Sequence, residues 1–490
     1  MMIENERQYR ITKAQADKFQ QALTRLAAGP ADDSVHPLLH QAQIDGVGSQ
    51  LTELRRQLAA YEALQTGSQS VLELSSFAEL PQALIQARIA AGLSQQALAE
   101  KLGLKKQQIQ QYETTRYTAA SFQRIQQVIQ ALGIQIREDV FLPTAQVSLD
   151  RLLHRLSALG LDRTFVLQRF LPPVLMARVQ AQDLPQAEEE QLVVQVASLI
   201  ARVFNWMPSA LFGSDSLSFD SAVLGAARFK VPARVDERRF SAHTMYAHYL
   251  ALLVVEATIE LPMLPLPTDA VAFRRAVLDR YAGLTLTAVT RYLWDLGIPI
   301  LPLGDTSGFH GACWRVRGRN VVVLTQHTPA QARWLFDLLH EYWHATQEPQ
   351  QAERSTIEAA DITTAGRETP EEYQASKFAE DVLFAGQADA LAKACVTAAN
   401  GSVERLKSVV PRIAAQEEVD PAALANYMAY RLQSQEGPSW WGAATNLQQT
   451  DPHPWQVVRD VALERLSLHC LNEMDRRLLM RAFAPAGGTV

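Results

Sequence analysis

Two histidines four residues apart, His340 and His344, enclose Glu341 in a run from Ala332 to Ala345 that is apolar on nearly all sides. That spacing puts both imidazoles on one face of a helix, and a helix that is apolar all round is a buried one. An unpartnered buried polar group costs on the order of 1–3 kcal/mol. The chain must therefore bring partners to this helix. Hydrogen bonds within the core are one solution; a metal ion that satisfies all three groups is the other. The run His340-Glu341-Tyr342-Trp343-His344 has the form HExxH, in which two imidazoles hold zinc and the carboxylate reaches an activated water.

A zinc hydrolase needs a third protein ligand and an open fourth position. A helix is expected to start after Pro370, with Ala375, Phe378, Ala379 and Val382 on its buried face. Glu372 lies three residues before Ala375 on that face and is the expected third ligand, with Glu371 as the alternative. The motif helix is expected from about Pro329 to Ala345. Before it, the runs 298–301, 312–316 and 321–324 read as short strands bounded by Gly and Pro. The expected fold class is mainly α and multidomain, with one mixed α+β region.

The 490 residues allow two to four domains. With 48% hydrophobic and 20% charged residues, the chain can bury a large core without disulfides. Cys313, Cys395 and Cys470 are scattered and odd in number, which suits a reducing compartment. The start of the chain lacks a signal-peptide pattern, and the most apolar stretch, 249–265, is broken by Glu256, Glu260 and Pro262. A membrane span is rejected and the expected location is the cytoplasm.

A net charge of −6 argues against a general nucleic-acid binder. The charge is uneven. Residues 81–137 carry seven basic residues against Glu100 and Glu113, a surplus of +5, so the remainder of the chain carries −11. In that segment Ser94 is a good N-cap, Leu98 and Leu102 face one way, and Gly103 supplies a tight turn. The helix that follows shows Lys105, Lys106, Gln107, Gln108 and Gln111 on an exposed face. Glutamine can bond adenine through two contacts, and lysine reaches guanine or phosphate. From Leu84 to Leu132 the sequence resembles the repressor-type (XRE-like) helix-turn-helix family, in a match spread over five helices. The resemblance implies that Gln95 positions the domain on the DNA backbone while Lys106, Gln107, Gln108 and Gln111 face bases. Thr114-Thr115 departs from the glycine and basic residue often found there. A helix-turn-helix that only binds protein is the alternative.

Residues 1–68 read as a helical segment with a loop from Gly29-Pro30 to Pro37. Its stripe of Leu51, Leu54, Leu58 and Tyr61 fits packing within the chain or a dimer seam. Thr66-Gly67-Ser68 reads as a hinge into the helix-turn-helix domain, 69–137. Residues 138–265 read as a helical connecting domain, 266–390 as the metal-motif domain and 391–490 as a helical C-terminal domain. A tryptophan-rich loop there holds Trp440, Trp441 and Trp455.

Residues 270–390 resemble the ImmA/IrrE family of zinc metallopeptidases. The resemblance rests on HExxH, on the later pattern Glu372-Tyr-Gln-Ala375-Ser-Lys-Phe378-Ala379, and on the strands and Arg333-Trp334-Leu335-Phe336 that precede the motif. It implies Zn2+ held by His340, His344 and Glu372, with Glu341 as general base and a zincin-like fold. His310, His327 and Tyr373 are candidate oxyanion donors. Tyr342-Trp343 stand where the family has Leu-Gly, and Phe384-Ala385-Gly386 follow where small members carry proline. Both bear on the shape of the cleft. Cys313 reads as a structural core thiol, with an inhibitory zinc ligand as the alternative.

The combination implies a peptidase that cuts a partner, a repressor or an antitoxin, in stress, mobile-element or phage-defence control. Double-stranded operator DNA and a second copy of the chain, in a homodimer, are the other partners it implies. Two alternatives are a transcriptional regulator whose zinc domain senses without cutting and a toxin neutralised by a neighbouring antitoxin.

Overall fold

The structure is a computed structural model that describes residues 2–28, 37–67, 72, 74, 77–136, 148–213, 217–219, 236–305, 309–359, 369–435 and 439–484. The chain divides into two compact units, Met1–Glu138 and Asp139–Val490. The expected loop over 29–36, Ser68 of the expected hinge, and the 137/138 boundary lie outside the described residues.

In the first unit, helices Glu6–Ala28 and Pro37–Thr66 pair with each other. Their base carries a stack of Tyr9 on Tyr61, ring centroids 5.1 Å apart. Ile3, Tyr61 and Leu64 enter the core built by Leu84, Ile85, Leu98, Ile109 and Val128. Leu51 and Tyr61 of the expected stripe are buried within the unit. Over residues 80–132 the described structure has four helices, Leu80–Ala90, Gln95–Lys101, Lys106–Thr114 and Phe122–Leu132, where five were expected. Ser94 caps the second, its Oγ accepting from the Ala97 amide at 3.1 Å. Gly103 turns the chain with φ of 65°, a conformation that costs glycine little.

The second unit has one continuous buried cluster running from Leu149 to Phe483. The segments read as connecting, metal-motif and C-terminal domains therefore share a core. Helices Ala270–Arg280 and Leu286–Asp295 precede a four-stranded sheet of order β1-β3-β2-β4. β1 (Ile300–Pro302) runs parallel to β3 (Arg319–Leu324). β2 (Phe309–Val316) is antiparallel to β3 and to β4 (Arg354–Ala359), with an irregularity at Phe309/Gly311. β3 is buried along its whole length, which explains its unbroken apolar run. Arg317 and Gly318, with φ of 51° and 80°, join β2 to β3 in a two-residue hairpin turn.

The motif helix, Gln331–Thr346, lies on β2 and β3, and a second helix, Pro370–Phe384, packs against it. Among the described residues no helix is long and apolar enough to cross a membrane.

Candidate metal centre and helix-turn-helix surface

The motif helix is anchored at both ends. At its start Trp334 Nε1 donates to the Thr328 carbonyl at 2.9 Å, and Gln326 donates to Asp337 at 2.8 Å. At its end Arg315 from β2, itself buried, donates to the carbonyls of Ala345 (2.7 Å), Gln347 (2.9 Å) and Glu348 (2.6 Å). Arg354 from β4 donates to the His344 carbonyl at 3.0 Å. Cations and donors at a helix C-terminus satisfy carbonyls that have no partner within the helix. The backbone at His344 is thereby tied to the sheet.

The second helix starts where Pro370 predicts. Thr369 caps it, its hydroxyl accepting from the Glu372 amide at 3.3 Å. Glu371 and Glu372 occupy its first turn, where the helix dipole favours carboxylates. Its far end is held by Arg274, which donates to the Val382 carbonyl at 2.8 Å.

These anchors bring His340, His344 and Glu372 together. His340 Nε2 lies 3.0 Å from Glu372 Oε2 and 3.3 Å from His344 Nε2, and His344 Nε2 lies 3.6 Å from Glu372 Oε1. The two histidines are buried, and Glu372 is partly so. Donors about 2.0–2.2 Å from a tetrahedral zinc stand roughly 3.3–3.5 Å from one another. The spacing and the chemistry of this donor set fit such an ion.

The outward imidazole nitrogens face polar groups of the second helix. His344 Nδ1 lies 3.6 Å from Glu371 Oε1, and Glu371 also binds Arg354 at 2.5 Å. His340 Nδ1 lies 3.4 Å from Ser376 Oγ. Groups in these outer positions help orient the rings that present Nε2 inward. Glu371 thus sits behind His344, while Glu372 faces both Nε2 atoms.

Burial drives His344 towards its neutral form, but the neighbouring Glu371 and Glu372 carboxylates more than reverse this and carry it up to about 9. Glu371 is held at about 2, first by its contact with His344. Burial alone would raise Glu372, and the two imidazoles instead hold it well below the usual carboxylate range. The carboxylates and imidazoles thus favour a shared positive charge between them.

Glu341 is 1% exposed and points at β2. A Cβ placed on Gly311 would lie 2.8 Å from Glu341 Cδ and 2.9 Å from its Cγ. Only the bare backbone of glycine admits this approach. Cys313 is buried on β2, and burial, with the charge of Glu341 adding, pushes its thiol up to about 12. It stays a neutral core thiol, outside the cluster of ligand atoms.

Tyr342 is buried against Phe273, centroids 4.6 Å apart, and donates to the Pro267 carbonyl at 2.9 Å. Trp343 turns its ring edge-on to His344 at 5.3 Å. Of the candidate oxyanion donors, Tyr373 lines a cavity beside His340 and Glu372, and His327 is exposed. The His310 side chain lies outside the described residues. The same cavity is walled by Tyr427, Tyr430 and Trp441 from the C-terminal helices Pro421–Ser434 and Trp441–Thr445. No local sequence signal ties those residues to the motif.

In the first unit Lys105, Lys106, Gln107, Gln108 and Gln111 are all exposed along helix Lys106–Thr114. Gln108 Oε1 accepts from the Lys105 amide at 3.0 Å, so its carbonyl caps the helix and only its amide nitrogen is left to reach a base. Gln95 donates to Glu113 at 2.7 Å and braces the interior. Glu113 in turn pairs with Arg88 at 2.6 Å, both almost wholly buried. Arg88 also donates to the Leu93 and Glu4 carbonyls, at 2.9 and 2.7 Å. Arg88 and Glu113 cancel, and the other described basic residues of this region, Lys101, Lys105, Lys106, Arg116 and Arg124, are exposed or partly exposed.

A helix-turn-helix family model matches residues 84–138. No curated protein and no solved structure matches the chain. The segment is a helix-turn-helix domain, a module that presents a recognition helix to the major groove of double-stranded DNA, and the match supports a DNA-binding regulator.

Proposed function

We propose that this chain is a DNA-binding regulator with a zinc metallopeptidase centre that cuts a specific protein partner, a repressor or antitoxin. One observation carries the peptidase reading: His340, His344 and Glu372 converge with donor atoms 3.0 to 3.6 Å apart, beside the buried Glu341 of the same motif.

Bound zinc supplies a Lewis acid that acidifies water and polarises a carbonyl. The chain's own residues do the rest. Glu341 takes the proton of the attacking water, and the wall at Gly311 holds its carboxylate in place. Glu371 and Ser376 keep the imidazoles turned with Nε2 inward. Tyr373, at the cavity, is the residue assigned to bond the carbonyl oxygen as charge develops on it.

Metal content by mass spectrometry on wild type and His344→Ala tests this reading. About one zinc per wild-type chain, lost in the variant, is the expected result. A folded wild type that takes up no zinc when supplied with it overturns the reading. The helix-turn-helix match then favours a second one, a transcriptional regulator in which this domain does not cut.

A further inference from the structure

The cavity beside the candidate metal cluster holds one carboxylate, Glu380, that makes no hydrogen bond or ion pair among the described residues. It has room of about 150 Å³, the order of size that admits one benzene-sized body. It therefore takes a single side chain. His340 and Glu372 stand on its lining, and Phe336, Tyr427 and Trp441 contribute aromatic surface.

Three other charged residues line it. Arg333 pairs with Asp337 at 3.2 Å and lies over the Phe336 ring, and Lys377 pairs with Asp381 at 2.8 Å. Both cations are thus answered from within the motif helix and the second helix. Glu380 is not. It is only partly exposed, and among the described residues it makes no hydrogen bond and no ion pair. Burial lifts its carboxyl to about 7, with Asp381 and Asp389 adding and the charges of Lys377 and Arg431 opposing.

An apolar stem lies well against aromatic walls, and a cation is drawn both to their faces and to a carboxylate. Lysine and arginine side chains have that build. We infer that this cavity is a specificity pocket that takes the lysine or arginine side chain of a polypeptide substrate, with Glu380 as its counter-ion. The inference rests on the peptidase reading for the nature of the bound chain. Glu380 acts on selection and touches none of the reacting atoms.

The test uses the full-length, zinc-loaded chain carrying Glu341→Gln, so that nothing is cleaved. Calorimetry measures binding of acetyl-Ala-Ala-Xaa-Ala-Ala-amide with lysine, arginine, norleucine or glutamate as Xaa. Lysine and arginine peptides are expected to bind at least about tenfold tighter than norleucine, which matches lysine in length but lacks its charge. Adding Glu380→Gln should remove that preference and leave norleucine binding unchanged. Adding Glu380→Lys should shift the preference to the glutamate peptide. Equal binding of lysine and norleucine, or a basic preference that survives Glu380→Gln, overturns the inference.

The two readings fail separately. A Glu380-dependent basic preference in a protein that neither holds zinc nor cleaves keeps the pocket and removes the peptidase. Zinc-dependent cleavage with no basic preference does the reverse.

Discussion

The helix-turn-helix surface and the candidate metal cluster place their polar side chains on opposite sides of the solvent boundary. In the first, Lys106, Gln107 and Gln111 are exposed, and the buried part is support, the Arg88–Glu113 pair. In the second, His340, Glu341 and His344 are themselves 3%, 1% and 1% exposed. A surface reader can change its side chains at little cost to its fold. A buried centre cannot, because each polar group in it is part of the packing. On the proposed reading, function and stability are separable in one unit and joined in the other.

Four substitutions probe that contrast. Glu341→Gln keeps the shape of the side chain and removes the base; zinc content should hold while cleavage falls by about 10²–10⁴. Cleavage that persists in this variant, followed by mass spectrometry of a cut partner, removes the role given to Glu341. Arg88→Ala leaves Glu113 buried without its cation and should destabilise the first unit by about 3–5 kcal/mol, read by denaturant unfolding. A smaller loss would mean that the support is less rigid than its burial implies.

The third concerns pH. The buried histidines among the described residues, His243, His340 and His344, all lie in the second unit. His243 packs on Phe165, centroids 4.3 Å apart, and burial, with Arg239 adding, lowers its pKa to about 4. The folded value lies below that of the unfolded chain, about 6.5, so the unfolded state binds the extra proton. The contribution is present above about 6.5 and is lost as pH falls towards about 4, on the order of 3 kcal/mol. Thermal melts across that window should show the loss in wild type and a flatter profile in His243→Leu. Identical profiles refute it.

The smallest effect belongs to Lys106→Ala. The salt-dependence slope of binding to double-stranded DNA should drop by about 1 while the melting temperature stays put. An unchanged slope would leave Lys106 off the phosphates.

What sequence alone could read was local. Ser94 and Pro370 mark helix starts through caps that involve neighbours three residues away, and both helices begin there. The apolar run of β3 follows from burial on both faces. β4 escaped notice because Arg354, Ser355, Thr356 and Glu358 give an edge strand little apolar signal. Its Arg354 nevertheless holds both the His344 carbonyl and Glu371. No sequence signal shows that Gln95, expected to position the domain on the DNA backbone, donates to Glu113, or that Gln108, expected to face bases, accepts from the Lys105 amide. The pocket around Glu380 joins residues from 332 to 441, a span that no spacing rule covers.

The glycine at 311 carries no functional group, and a survey of this site by chemical type would pass over it. Yet the strand there is hollowed to the depth of one methyl, and the carboxylate of Glu341 lies in the hollow. The site is shaped as much by an atom left out as by those supplied. An alanine at 311, among the mildest changes in the genetic alphabet, would displace the Glu341 carboxylate, the base of the proposed reaction.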